Sequence, residues 1–326
     1  MSDIYKTSEF DNKIKKVKTM NETKIYMLKD EQLDTYERFR KIGYKNAELI
    51  FAEMVDFIAL QHGSTGLPVA IVGCSGGIDS SFVLAAVVKA IGAENVKMVM
   101  LPYEGIKSSY QDSIRYATLL ADYLMIPEYN RITVPILHAV DASKNSIIKS
   151  GLPEPNQKQL GNMMARERMK LLYHIADEYR GLVLDTCNNT EIKMGYLTKH
   201  GDGASDYNSI GDIYKVWIWE ITRKLKLVPN EIIERTPSAD LIEGQTDVDD
   251  LCITYQALDL LLWLYFDAGI SRSFLIRDYH YPVEVIDMVA NRVSGNDHKS
   301  SPAPICQIMN IGIIVDSMRT CCGIDK

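Results

Sequence analysis

Several common devices are missing from this sequence, and each absence removes a class of function. Six cysteines in 326 residues are too few for a disulfide scaffold, and none forms a Cys-x-x-Cys pair. A reducing, cytoplasmic setting is therefore expected. No apolar run reaches the ~18 residues of a membrane span. The opening residues Met1-Ser2-Asp3-Ile4-Tyr5-Lys6 lack the apolar core of a secretory signal. Positive charge is not in excess: 36 Lys and Arg face 43 Asp and Glu, a net charge of −7. No global basic field recruits nucleic acid. There is no internal repeat and no low-complexity segment. Neither G-x-x-x-x-G-K-[ST] nor G-x-G-x-x-G occurs, so the two commonest nucleotide loops are excluded.

What is present is Gly73-Cys74-Ser75-Gly76-Gly77-Ile78-Asp79-Ser80-Ser81. It follows the apolar run Val69-Ala70-Ile71-Val72, which reads as a buried strand, and precedes Phe82 to Val88, which reads as an apolar helix. A glycine-rich turn between strand and helix gathers backbone N–H groups at the positive end of the helix dipole. That place favours an anion, most often a phosphate. Asp79 would repel a phosphate unless a cation lay between them, so it implies a magnesium site.

The chain of 326 residues is long enough for one large α/β domain or two small ones. Residues 1 to about 45 are polar, with Lys13, Lys15, Lys16 and Lys18 clustered, and read as a solvated arm. A helix is expected from Tyr44 to about Leu60. Further strands are expected at Val96–Leu101, Arg131–Val134 and Gly181–Asp185, with helices at Ser109–Leu124 and Asn162–Tyr179 between them. This alternation predicts a doubly wound parallel sheet with flanking helices, its ligands at the edge where the loops leave the strands. Beyond it the chain reads as helical, over Tyr214–Leu227, Asp249–Phe266 and Pro282–Val293. Core or subunit interface is the plain reading of the tryptophans and leucines there.

Four further stretches carry polar residues at element ends. In Gly161 to Met169, Asn162 and Arg166 share a helix face, and Arg166 suits a carboxylate or phosphate, although spacing alone allows a surface arginine equally well. Thr186-Cys187-Asn188-Asn189-Thr190-Glu191 follows a strand, where Glu191 either joins Asp79 around magnesium or caps a helix. Gly195 to Asp206 is a loop rich in charge and glycine, either solvated or shaping a ligand, and Lys215 follows within reach of phosphates. Pro237-Ser238-Ala239-Asp240-Leu241 and Gly244-Gln245-Thr246-Asp247 come next. His298-Lys299 then falls in a loop rich in glycine and serine. Cys74 reads as a small packed residue rather than a nucleophile, since no histidine pairs with it.

S-G-G-I-D-S resembles the pyrophosphate loop of the ATP pyrophosphatases. The ordered set that continues with G-N-M-M-A-R-E-R-M, T-x-N-x-T-E, G-Y-x-T-K-H-G-D-G-A-S-D, P-S-A-D-L, G-Q-T-D and H-K resembles the NAD synthetases over roughly residues 45 to 304. The resemblance implies an adenine nucleotide alpha hydrolase-like fold. It also implies a ligase that uses ATP and Mg2+ to adenylate deamido-NAD, which ammonia then converts to NAD with release of AMP. By position, Gly73, Cys74, Ser75, Gly76, Gly77, Ile78, Asp79 and Ser80 would hold the ATP pyrophosphate, and Thr186, Lys215 and Ser238 would contact ATP. Arg166, Lys199, Asp206, His298 and Lys299 would contact deamido-NAD, with Asp79 and Glu191 as magnesium ligands.

No Glu-Lys-Cys triad precedes the loop and there is no room for a glutaminase domain, which points to the ammonia-dependent form. The resemblance further implies a homodimer, with no nucleic-acid or membrane partner. Residues 1–44 and 305–326 lie outside it as an N-terminal arm and a C-terminal tail. Asp185, Cys187, Asn189, Ser209, Val248 and Cys252 depart from residues usual in the family: glycine at 185, 187 and 252, lysine at 189, proline at 209 and an acidic residue at 248.

Overall fold

The computed structural model describes residues 25–105, 107–238 and 246–304, with only the backbone of 107–110. In chain order the elements begin α1 (Asp30–Lys45), α2 (Ala47–Thr65), β1 (Val69–Gly73), α3 (Ile78–Ile91), β2 (Val96–Met100), α4 (Lys107–Tyr123) and β3 (Arg131–Thr133). They continue α5 (Leu137–Lys149), α6 (Gln157–Tyr179), β4 (Gly181–Leu184), α7 (Asn189–Met194), α8 (Lys215–Leu225) and α9 (Asn230–Ile233). The last are α10 (Asp247–Leu251), α11 (Tyr255–Leu262), a π-helical turn at Trp263–Asp267, α12 (Arg272–Arg277) and α13 (Val283–Ser300).

The four strands form one parallel sheet in the order β3-β2-β1-β4. The expected doubly wound α/β architecture is therefore present. The chain winds outward from β1 through β2 to β3, then returns to place β4 on β1's other side. That reversal leaves a crevice between the ends of β1 and β4, where ligands bind in open sheets of this kind. Alternation along each strand separates two cores. Ala70, Val72 and Met98 pack with Met54, Ile58 and Phe82 from α2 and α3. Ile71, Val99 and Val183 pack with Met164 and Leu172 from α6. A third core, built on Phe39, Tyr214, Leu258, Leu261 and Val289, fills the helical second half.

Three local expectations are corrected. Residues 30–45 are not a solvated arm but a helix whose Phe39 is buried against the rings of Tyr214, Trp217 and Trp263. Gly43 permits this approach, because a Cβ there would lie 2.7 Å from the Trp217 ring. The helix expected over Asp249–Phe266 is broken at Cys252, which adopts φ 60° and caps α10. His298 and Lys299 lie in the last turn of α13 rather than in a loop. The lysine cluster at 13–18, Ala239 to Gln245 and the tail beyond 304 fall outside the described residues. Among the described residues no helix is long and apolar enough to cross a membrane.

Candidate active site

Both loops at the sheet crevice enter one cavity of about 280 Å³. On one side is the turn after β1. Gly76 takes φ 73°, and any Cβ there would lie 2.7 Å from Tyr116, so glycine is required. α3 starts at Ile78 with no side chain capping it, and its first helical bond is Ser81 N–H to Gly77 O. The amides of Ile78, Asp79 and Ser80 have no partner within the helix and converge at its positive end. The serine hydroxyls brace this turn: Ser80 and Ser81 donate to Gly77 O at 3.2 and 2.7 Å, and Ser75 Oγ accepts from Gly77 N–H at 3.2 Å. What the turn offers an anion is therefore its backbone and the helix dipole.

Asp79 forms an ion pair with Lys215, the first residue of α8. Its other oxygen accepts from Asn188 Nδ2 at 3.1 Å. Asn188 is the N-cap of α7 and pairs reciprocally with Glu191, accepting from Glu191 N–H at 3.1 Å while Glu191 Oε2 accepts from Asn188 N–H at 3.0 Å. Glu191 is thus a capping glutamate and a member of the site at once. Asp247, at the start of α10, faces the same ammonium and accepts from Tyr255 Oη at 2.8 Å and Tyr196 Oη at 3.2 Å.

The electrostatics are unbalanced. Burial, and then the charge of Asp79, drives the Glu191 carboxyl well above its usual range, and burial raises Asp247. Burial works against the charge on Lys215, yet Asp79, Glu191 and Asp247 outweigh it and raise its pKa. Three acidic side chains thus surround one ammonium. Such a set of oxygen donors, whose raised carboxyls an added positive charge would ionise, fits a hard divalent cation. Among the described residues no three acidic, His or Cys side chains form a closed cage, so such an ion would share its coordination with phosphate.

Thr186 and Ser238, expected to contact ATP, also line the cavity. Four of the five residues expected to contact deamido-NAD are linked by hydrogen bonds or chain adjacency. Arg166 Nε donates to Lys199 O at 3.2 Å, and Lys199 Nζ donates to His298 O at 2.5 Å. Lys299 Nζ donates to Gly195 O and Leu197 O at 2.7 and 3.3 Å. The fifth, Asp206, extends the edge of β4, its carboxylate accepting from Val183 N–H at 2.7 Å.

Sequence reasoning gave no role to Asn188, Asp247, Tyr196, Tyr255 or Arg235. Arg235 lines the cavity and donates to Ser75 O at 3.0 Å, its guanidinium 5.1 Å from the Tyr116 ring. Asp247 had a signal in its Gly-Gln-Thr-Asp stretch, and Arg235 lies two residues before the Pro-Ser-Ala-Asp-Leu stretch.

The NAD synthase family model matches residues 50–303. The chain belongs to the NAD synthase family. It is 36% identical over 264 residues to the NH3-dependent NAD+ synthetase of Fusobacterium nucleatum, covering 81% of this chain and 97% of that one. It is 38% identical over 262 residues to the enzyme of the same name from Thermococcus kodakarensis, covering 80% and 96%. Among solved structures it resembles the NMN synthetase of Francisella tularensis (TM-score 0.68, 27% identity, 80% and 99% covered). It also resembles the NH3-dependent NAD synthetase of Campylobacter jejuni (TM-score 0.63, 26% identity, 80% and 99% covered).

Within this NAD synthase chain the departures have local structural settings. Asp185 is buried and bridges two loops, accepting from Cys187 N–H at 2.7 Å and Ser205 Oγ at 3.3 Å. Cys187 is buried, its thiol directed at Asp202 O, and burial holds it well above the thiolate range. Burial likewise pushes Cys74 up to about 11, so neither cysteine is a nucleophile at neutral pH. The buried Asn189 donates its N–H to Ile213 O at 3.1 Å, tying the start of α7 to the segment before α8. Ser209 Oγ is buried with no hydrogen-bond partner among the described residues. Cys252 occupies a left-handed conformation suited to glycine. Nothing in the structure explains Val248.

Proposed function

We propose that this chain is an ammonia-dependent NAD synthetase, converting deamido-NAD, ATP and ammonia to NAD, AMP and pyrophosphate. The observation that carries the reading is the meeting of Lys215, Asp79 and Glu191 at the mouth of the β1 turn, where a polyphosphate would lie. The turn amides and Lys215 bind the phosphates, and Thr186 and Ser238 flank the nucleotide. Asp79 and Glu191 would hold Mg2+, which supplies charge compensation for the departing pyrophosphate.

The nicotinate carboxylate attacks the α-phosphorus, and the bond to pyrophosphate breaks. Ammonia then adds to the acyl carbon, AMP leaves with the bonding electrons, and a proton is lost to solvent. No protein nucleophile is needed, in keeping with the protonated state of Cys74 and Cys187. The site's task is to orient the reactants and exclude water. Arg166, Lys199, Asp206, His298 and Lys299 form the acceptor end. The reading further includes a functional domain at 45–304 flanked by the two ends, a homodimer and a cytoplasmic location.

The test is incubation with ATP, Mg2+, ammonium and deamido-NAD. Equal yields of NAD and AMP are expected. Nicotinic acid mononucleotide should be run in parallel, because the likeness to an NMN synthetase makes that shorter acceptor the second reading. Preferred amidation of the mononucleotide would replace the first reading with the second. ATP–pyrophosphate exchange that required another acid, or ATP binding without any product, would overturn both.

A further inference from the structure

Lys215 and Glu191 come from separate helices, and their mutual placement needs a physical cause. α8 begins at Lys215, and its N-cap, Tyr214, provides no side-chain hydrogen bond to the exposed amides. The missing acceptor comes from α11. Asp259 Oδ2 accepts from Val216 N–H at 2.8 Å, and its Oδ1 accepts from Thr190 Oγ at 2.7 Å. The Thr190 hydroxyl in turn accepts from Lys215 N–H at 3.2 Å. This closed ring is buried: Asp259 is 0% exposed, Thr190 1% and Val216 2%.

The ring holds the immediate neighbours of the site residues. Thr190 precedes Glu191 and Val216 follows Lys215. A carboxylate at the start of α8 also meets the positive end of that helix. Four residues before Asp259, on the same face of α11, Tyr255 donates to Asp247. One short helix therefore supports three of the four charged groups at the nucleotide end.

We infer that Asp259 is a positioning residue that fixes Lys215 against Glu191 by clamping the first turns of α7 and α8 to α11. It touches neither nucleotide nor acceptor and works through Lys215. The inference rests on the proposed synthetase reading for its activity readout, but not for its binding readout.

A double-mutant cycle tests it, with each variant first checked for folding by circular dichroism. In the wild-type background Asp259→Asn is expected to lower kcat/KM for ATP ~30-fold, as small misplacements of a charged group do. In a Lys215→Gln background the same change is expected to cost less than about threefold, because the group being positioned is already gone. Thr190→Ser keeps the hydroxyl and should retain near wild-type kcat and KM, whereas Thr190→Val should match Asp259→Asn. If Asp259→Asn does not fold, Thr190→Val takes its place in the cycle.

Equal losses in the two backgrounds would overturn the inference. So would a lowered Tm with kcat and KM unchanged, the signature of a purely structural cap. A wild-type protein that binds ATP but makes no NAD would sink the synthetase reading alone. The cycle would then be read on ATP dissociation constants, with the same non-additivity expected.

Discussion

The two ends of the site handle charge in opposite ways. At the nucleotide end charges meet charges: Lys215 is buried among Asp79, Glu191 and Asp247, and contacts from α7, α10 and α11 hold each in place. At the acceptor end the cations of Arg166, Lys199 and Lys299 rest on neutral backbone carbonyls, with no carboxylate paired to them among the described residues. Carbonyls orient an ammonium or guanidinium without neutralising it, so these groups keep their field for an anionic acceptor. On the proposed reading the first end receives more positive charge and the second negative charge. Nucleotide with magnesium, and a dinucleotide bearing phosphates and a carboxylate, fit those demands in that order.

The largest effect should come from the nucleotide end. Asp79→Asn is expected to lower kcat by ~10³-fold while circular dichroism and Tm stay near wild type. The fold should survive because Glu191 and Asp247 still face Lys215. Substantial activity in that variant would show that the carboxylate excess has no catalytic use. At the acceptor end, Lys199→Met should raise KM for deamido-NAD ~10-fold and leave ATP affinity within about twofold, since the ammonium is partly solvated. Equal damage to both affinities would erase the distinction between the ends.

A pH measurement addresses the buried support beneath the nucleotide end. Burial pushes Asp259 up to about 7, well above its ordinary value. A carboxyl raised on folding contributes stability that is fully present below its unfolded pKa near ~4 and is lost as pH rises through about 7. Between pH 5 and pH 8 the wild type should therefore lose more stability than Asp259→Asn. Denaturant midpoints of both proteins at the two pH values check this, and parallel losses would place Asp259 in a less hostile setting. The smallest effect should come from Cys252→Gly, which relieves the left-handed strain at the end of α10. A gain of roughly 0.5–1 kcal/mol is expected, seen as a Tm rise of about 2 °C.

Much of this molecule was legible because its signals are local. The β1 turn declares itself through adjacent glycines between an apolar strand and an apolar helix. The parallel sheet follows from apolar runs that alternate with helical segments. α1 was misread for an equally local reason: its inward positions 32, 36, 39 and 43 follow helical spacing, but Gln32 and Gly43 are not apolar. Gln32 is buried because its amide reaches Tyr279 O at 2.9 Å, a partner 247 residues away. His298 and Lys299 were misplaced because glycine and serine around them suggest a loop. The helix persists there while Arg292 and Lys299 bind carbonyls of Met194, Gly195 and Leu197.

The sequence by itself determined the chemistry of the β1 turn and the order of strands and helices. Each depends on residues within a few positions of one another, where spacing and side-chain type are sufficient. Only the tertiary structure decided that Lys215 pairs with Asp79 and that Asp259 supplies the missing cap of α8. It also decided that Asp247 joins the site and that the acceptor cations rest on carbonyls. Those facts depend on contacts between residues 30 to 140 positions apart, formed when α8, α10 and α11 pack beside the sheet crevice. Burial then sets the charge of groups whose sequence neighbours say nothing about it.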